Sequence, residues 1–236
     1  MYIKKMTKPL IVTLIALGFI FTGHTGFARF FHGSMTFSMG FPQGEFKDNV
    51  DRIALGVDLT FGVKLGKSPF MLGIDLGVLN YGSDRRYEYL YGVPEFQFRV
   101  KHDYNLFQGL VFLRFQPVKN ARVRPYIDAL AGFNYLWADT SLDNNRDEEE
   151  EITLAVNYDD SAFSYGLGGG VLVKLGRKRT RGVEFFIDLR ARYIFGGKAE
   201  YLTEGSILVE DQEVTYLVYE SRTDLLTFQI GFGLNF

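Results

Sequence analysis

The sequence predicts an all-β fold: a closed, eight-stranded, antiparallel up-and-down transmembrane β-barrel, preceded by a signal peptide. Three observations predict it. Large apolar residues recur at every second position through eight separate runs. The positions between them are rich in glycine and formal charge. The connections between runs alternate short and long. Composition agrees. Hydrophobic residues make up 47% of 236, yet mean hydropathy is −0.02, so polar and apolar residues are finely mixed. That excludes a bundle of transmembrane helices, each of which needs about 20 consecutive apolar residues. Aromatics at 16% argue against disorder. The absence of Cys excludes disulfides, thiolate metal sites and Cys nucleophiles. A net charge of −2 gives no basic surface for nucleic acid.

Residues 1–28 read as the signal peptide. Lys4, Lys5 and Lys8 give a positive start, Leu10 to Phe21 form an apolar run, and Gly26-Phe27-Ala28 offers small residues where a signal peptidase cuts. The run is too short to span a bilayer comfortably, and no Cys follows for a lipid anchor. Cleavage after Ala28 leaves 29–236 as one barrel domain. Three Lys depart with the signal, so 23 basic side chains face 28 acidic ones, a formal charge of −5.

In the first strand Met35, Phe37, Met39 and Phe41 alternate with Ser34, Thr36, Ser38 and Gly40. In the second, Ile53 to Leu65 carries seven large apolar residues against Ala54, Gly56, Asp58, Thr60, Gly62 and Lys64. The third sets Phe70, Leu72, Ile74, Leu76 and Val78 against Gly73, Asp75 and Gly77. The fourth lies within 95–116, with Phe107, Val111, Leu113 and Phe115 on the outer face and Leu110, Phe112 and Arg114 inside. The fifth runs from about Pro125 to Thr140, with Ile127, Ala129, Ala131, Phe133, Tyr135 and Trp137 outward and Tyr126, Asp128, Leu130, Gly132 and Asn134 inward. The sixth sets Phe163, Tyr165, Leu167, Val171, Val173 and Leu175 against Ser164, Gly166, Gly168, Gly170 and Lys174. The seventh sets Val183, Phe185, Ile187, Leu189, Ala191, Tyr193 and Phe195 against Glu184, Asp188, Arg190 and Arg192. The eighth sets Leu226, Phe228, Ile230, Phe232, Leu234 and Phe236 against Thr227, Gln229, Gly231, Gly233 and Asn235.

A soluble sandwich also alternates, so the solvent of the apolar face has to be decided. A sandwich core cannot carry Asp58, Asp75, Asp188, Arg190 and Arg192, and inverting the sheet would expose a wall of Phe, Leu and Ile to water. Hydrocarbon suits that wall, and a closed barrel leaves no backbone group unpaired in lipid. Short connections near 66–69, 117–122 and 176–182 then face the periplasm. Long ones near 42–51, 83–93, 141–161 and 197–221 face outward. Ten strands are the alternative count, because 210–220 and 151–158 are also strand-like. The preferred reading continues barrel strands through them into long outer hairpins.

The run Leu226-Thr-Phe-Gln-Ile-Gly-Phe-Gly-Leu-Asn-Phe236 resembles the C-terminal assembly signal of bacterial outer-membrane proteins. The whole mature chain resembles the small-barrel superfamily of the OmpA membrane domain and OmpX, and the uncharacterised "porin family" barrels. The resemblance implies a bacterial outer-membrane location. It implies recognition by the barrel-assembly machinery through Phe228, Ile230, Phe232, Leu234 and Phe236. It implies no particular function.

An eight-stranded barrel is just wide enough to be filled by its own side chains. The inward acids are Asp58, Asp75, Asp128, Glu184 and Asp188; the inward bases are Lys64, Arg114, Lys174, Arg190 and Arg192. Buried ions are tolerated only when paired, so a cross-strand charge network that plugs the lumen is expected. A narrow ion path lined by the same groups is the alternative. Tyr81, Tyr135, Trp137, Tyr165 and Tyr193 are candidate interface aromatics.

Small barrels also include lipid-modifying enzymes. His102-Asp103 falls near the outer rim, but adjacent strand residues point to opposite faces, and His32 falls at the periplasmic end. The acidic run 147–151 with Asp143, Asp159 and Asp160 lacks the spacing and turn Gly of a calcium loop, and reads as solvated loop. Basic residues Lys119, Arg122, Arg124, Arg177, Lys178, Arg179 and Arg181 sit in the short turns, where they solubilise the turn or meet headgroups. Gly168-Gly169-Gly170 lies in a strand and is no phosphate loop. The expectation is therefore a monomeric, non-enzymatic barrel with no metal or cofactor. Its role is structural or surface-interacting, its partners being outer-membrane lipid and an extracellular ligand met by the acidic loops. A low-conductance pore is second and a lipid-modifying enzyme third.

Overall fold

The structure, a computed structural model, describes residues 31–89, 97–118, 121–144, 151–180, 183–210 and 213–236. The signal peptide, the acidic residues 147–150, Lys119 and Arg181 lie outside the described residues.

Period-two alternation becomes eight long strands: β1 (Phe31–Pro42), β2 (Ala54–Lys64), β3 (Phe70–Tyr89), β4 (Gln97–Phe115), β5 (Val123–Asn144), β6 (Glu151–Thr180), β7 (Val183–Gly196) and β12 (Leu225–Asn235). Each pairs antiparallel with its neighbours, and the sheet closes in the order β1-β12-β7-β6-β5-β4-β3-β2. The closing seam sets Met35, Phe37 and Met39 opposite Phe232, Ile230 and Phe228. Phe31 and Phe236 exchange backbone hydrogen bonds of 2.8 and 3.0 Å, and their rings stack at 5.5 Å.

Exposure decides the sidedness of the sheet. Phe61 is 51% and Phe232 68% exposed on the outer wall, whereas Asp58 is 1% and Arg190 4% exposed on the inner one. A continuous belt of Phe, Leu, Ile, Val and Met has no place in water, and every strand of the closed sheet has both neighbours. The chain is an outer-membrane-type β-barrel that crosses the membrane eight times. Among the described residues no helix is long and apolar enough to cross a membrane; strands make the crossing.

The short connections span 65–69 and 116–122, and a third lies beyond Thr180, which pairs directly with Val183. The strands thus run closer to the third turn than the sequence suggests, with a register shift after Leu175 and Gly176 at φ 79°. On the opposite side β3–β6 continue as a four-stranded sheet far past the point where β2 and β7 stop. Tyr89 still pairs Gln97, Phe98 pairs Asn144, and Asp143 pairs Glu151. The stretch 151–158 is therefore an extension of β6.

The stretch 210–220 continues no barrel strand. The chain leaves the barrel at Gly196–Gly197, where a Cβ on Gly196 would lie 2.1 Å from Thr223 Oγ1. It then folds into two small sheets of its own: β8 (Lys198–Tyr201) with β11 (Tyr219–Arg222), and β9 (Ile207–Glu210) with β10 (Glu213–Tyr216). The first outer connection holds a one-and-a-half-turn helix, α1 (Gly44–Asn49), which no periodicity announces. Together α1 and β8 bring an apolar cluster over the outer mouth: Phe46, Tyr81, Tyr104, Tyr201, Leu202 and Leu225 are all buried there.

Candidate functional site

The lumen is the candidate site, and its charges come from strands whose alternate positions point inward. Nearest the short turns, Glu184 receives Lys174 Nζ (2.8 Å) and Arg124 Nη2 (3.1 Å). Arg124 was expected among the solvated turn bases. It has the same parity as Tyr126 and Asp128, and so points inward, 5% exposed.

One layer deeper, Arg114 grips Asp128 with two parallel bonds, Nε to Oδ1 at 2.7 Å and Nη2 to Oδ2 at 2.9 Å. Its guanidinium carbon lies 3.6 Å from the centroid of the Tyr126 ring, and the Tyr126 hydroxyl donates to Asp188 Oδ1 at 2.6 Å. His32 stacks on Phe186 at 5.0 Å, its Nδ1 3.0 Å from Asn235 Oδ1 and its Nε2 3.4 Å from Arg114 Nη1.

At mid-lumen Asp75 is the hub. Arg192 reaches it bidentately at 2.7 and 3.1 Å, Arg190 Nη1 approaches at 3.1 Å, and the Thr60 hydroxyl donates at 2.5 Å. Arg190 also donates to Ser34 Oγ (3.1 Å) and pairs with Asp188 Oδ2 (3.1 Å). Arg192 Nη2 lies 3.8 Å from Asp128 Oδ2, which links the two layers. Asp58 takes a hydrogen bond from the Ser38 hydroxyl. Bidentate guanidinium–carboxylate geometry is what makes such burial tolerable.

Glycines make the space. A Cβ on Gly77 would stand 2.2 Å from Asp58 Oδ1, and one on Gly168 2.6 Å from Arg192 Cγ.

Of the ten charged residues read from the sequence, six form one connected network: Asp75, Asp128, Asp188, Arg114, Arg190 and Arg192. Lys174 and Glu184 join Arg124 in a separate triad, and Asp58 lies apart on Ser38. Lys64 ends β2 at the short-turn side, half-buried. His32 and Arg124 join the lumen groups without having been singled out there, and Thr60 and Tyr126, already on the inward parity, hydrogen-bond Asp75 and Asp188. Parity marks His32 and Arg124 as inward, whereas the carboxylate that Thr60 or Tyr126 meets follows from the stagger between strands. Of the assembly-signal residues, Phe228, Ile230 and Phe232 face outward on the seam strand, Leu234 lies near its end, and Phe236 follows its last residue, Asn235.

Above the charges the lumen changes character. Gln108 Nε2 donates to Asn134 Oδ1 (3.2 Å), and Asn134 Nδ2 donates to Thr223 Oγ1 (3.3 Å). Then comes the aromatic lid, where Phe46 meets Tyr81 and Tyr201 edge-on at 5.8 and 5.2 Å. The Tyr81 hydroxyl donates to Leu202 O at 3.0 Å. Tyr81 was expected at the membrane interface; it has the parity of Asp75 and Gly77 and is buried inside instead. The lid is sewn to the loops, with Asn49 Nδ2 donating to the Tyr201 hydroxyl (3.0 Å) and Arg222 N to Glu45 Oε2 (3.0 Å). Burial pushes the Tyr201 phenol above its ordinary pKa.

Outside, Tyr135 stacks on Trp137 at 5.6 Å and Tyr165 on Phe195 at 5.3 Å, an aromatic girdle at the outer rim. Among the described residues no group of His, Cys, Asp and Glu could hold a metal ion.

No protein-family model and no curated protein matches the chain. Solved structures with the same architecture do. The outer membrane protein OprG from Pseudomonas aeruginosa is 16% identical, with a TM-score of 0.46, over 89% of this chain and 97% of that one. A major outer membrane protein from Thermus thermophilus is 12% identical, with a TM-score of 0.41, over 89% and 100%. Ail, the attachment invasion locus protein of Yersinia pestis, in complex with the heparin analogue sucrose octasulfate, is 14% identical. Its TM-score is 0.39, over 88% and 97%. The likeness is one of fold alone.

Proposed function

We propose that this chain is a non-enzymatic outer-membrane barrel with a plugged lumen, serving a structural or surface-interaction role. The observation that carries the reading is a double closure. The Asp75–Arg190–Arg192–Asp128–Arg114 network crosses mid-lumen with its side chains buried, and the Phe46–Tyr81–Tyr201 lid covers the outer mouth. The long β3–β6 extension and the acidic outer connections offer surface to an extracellular ligand. Outer-membrane lipid meets the apolar belt, the barrel-assembly machinery meets the β12 seam during biogenesis, and the barrel works as a monomer.

Purified protein in planar bilayers tests the plug. A silent baseline at high salt is the expected result; reproducible unitary currents would replace it with a low-conductance pore. One observation favours that second reading. Ser34, Thr36, Ser38, Thr60 and Thr227 line one wall with hydroxyls, and Thr227 Oγ1 and Gln229 Oε1 there have no hydrogen-bond partner. Against lipid chemistry stands His102, which is buried on the lumen side, Nδ1 2.7 Å from Thr140 Oγ1, whereas acyl chains run outside the wall. A changed acyl profile in outer-membrane lipid on expression of the protein would overturn the non-enzymatic reading.

A further inference from the structure

The outer loops carry a surface that neither the barrel nor the lid uses. Residues Thr215–Glu220 are exposed without interruption. Within them Tyr216, Leu217, Val218 and Tyr219 are 41%, 44%, 41% and 38% exposed. Tyr216 ends β10 and Tyr219 begins β11, and Leu217 and Val218 between them are as exposed as the two tyrosines, so apolar groups lie open along the whole run. A run of four exposed apolar residues is a fault in a folded surface unless something uses it.

The segment is also held in place. Leu217 N donates to Ser206 O at 2.8 Å, Tyr216 pairs with Ile207, and Tyr219 pairs with Tyr201, itself anchored in the lid.

Charge around it is one-sided. Glu220 stands directly opposite Glu200. Like charges facing each other across a ladder weaken it. Lys198 Nζ comes no nearer to Glu220 than 3.6 Å. From Lys198 to Asp224 there are seven acidic residues and two basic ones.

Height and charge together choose the occupant. Gly197 N bonds to Phe163 O at the aromatic rim, and Tyr201, the partner of Tyr219, comes four residues later. At about 3.3 Å per residue that is about 13 Å along the strand. The headgroup layer on one side is only about 5–8 Å deep. The run therefore stands clear of hydrocarbon. A second copy would bring the same acidic surface against this one, which like charge opposes. A cationic segment of another protein meets both features at once.

We propose that Tyr216–Tyr219 is a docking site for a cationic amphipathic segment of a partner protein. Its apolar side chains cover the exposed run, and its Lys or Arg side chains neutralise Glu200 and Glu220. This rests on the surface-interaction reading and names the partner's chemistry.

The test uses the full barrel in phosphatidylcholine nanodiscs, with a labelled Leu/Lys amphipathic peptide and its Leu/Glu counterpart as probes and empty discs as reference. The Leu/Lys peptide should bind the protein above the empty-disc level. Affinity should fall about tenfold, or about 1.4 kcal/mol, in Leu217→Ser/Val218→Ser. Glu220→Gln should weaken binding and flatten its salt dependence. Both variants alter exposed side chains only, so the heat-dependent gel shift should be unchanged and report intact barrels. Equal binding of the Leu/Glu peptide, or no loss in the double-serine variant, overturns the site. A dimer in sedimentation that the double-serine variant abolishes overturns it in favour of self-association. Quenching of Val218→Trp by brominated lipid, in a Trp137→Phe background, overturns it in favour of the membrane surface. Failure of docking with silent bilayers leaves the plugged barrel standing. Unitary currents with intact docking remove the plug and leave the site.

Discussion

The two halves of the lumen are closed by different chemistry on different parts of the chain. The half near the short turns is filled by charges carried on the barrel strands, with Arg114, Arg190 and Arg192 clamped on Asp75, Asp128 and Asp188. The outer mouth is filled by Phe46 from α1, Tyr201 and Leu202 from the β8 connection, and the strand-borne Tyr81 and Tyr104. Strand-borne groups cannot leave without breaking the sheet. Loop-borne ones can lift while every barrel ladder stays paired. The first closure therefore belongs to the stability of the whole barrel, and the second to local opening.

The sharpest way to break this contrast is Arg114→Ala. It leaves Asp128 in the buried layer with Arg192 at 3.8 Å in place of a bidentate partner, and removing one partner of a buried pair costs about 3–5 kcal/mol. Urea midpoints of the folded gel band should drop accordingly. Arg114→Met/Asp128→Leu should recover most of the loss, because the charge and its partner leave together. A single variant as stable as the parent would mean that the charges do not hold the barrel.

Phe46→Ala should remove about 3 kcal/mol of packing, but from the lid alone. Protease cleavage between 43 and 53 should rise while the gel shift and urea midpoint stay put. A fall in global stability equal to that of Arg114→Ala would erase the distinction between the two halves. Tyr81→Phe deletes the hydrogen bond to Leu202 O and should cost about 1 kcal/mol of lid closure, seen as faster amide exchange around Leu202. Arg52→Ala breaks the 2.9 Å pair with Glu204 at the lid's rim. With Arg52 63% exposed, the loss should be under about 0.5 kcal/mol and vanish at high salt.

Legibility followed the same division. Barrel strands could be read because period two repeats over every one of them, and Asp58, Asp75, Asp188 and Arg190 fell on the inner parity without any knowledge of their partners. Parity was also enough for Tyr81 and Arg124, which chemical expectation had assigned to the interface and the turn. The six-residue α1 carries no periodic signal, and Phe46 meets Tyr201 across 155 positions of sequence. Nothing local in 197–224 distinguishes a continued barrel hairpin from two small sheets; the exit at Gly196–Gly197 against Thr223 decides it.

By itself the sequence determined that the chain is a barrel and which residues look inward. Side-chain direction in a strand depends only on odd or even position, and a sheet in hydrocarbon must close. Tertiary structure alone decided which acid holds which base, and that the outer mouth is roofed by apolar loops. Those pairings depend on the stagger between strands distant in sequence and on how a free connection folds back over the opening, and neither distance is written in any local pattern.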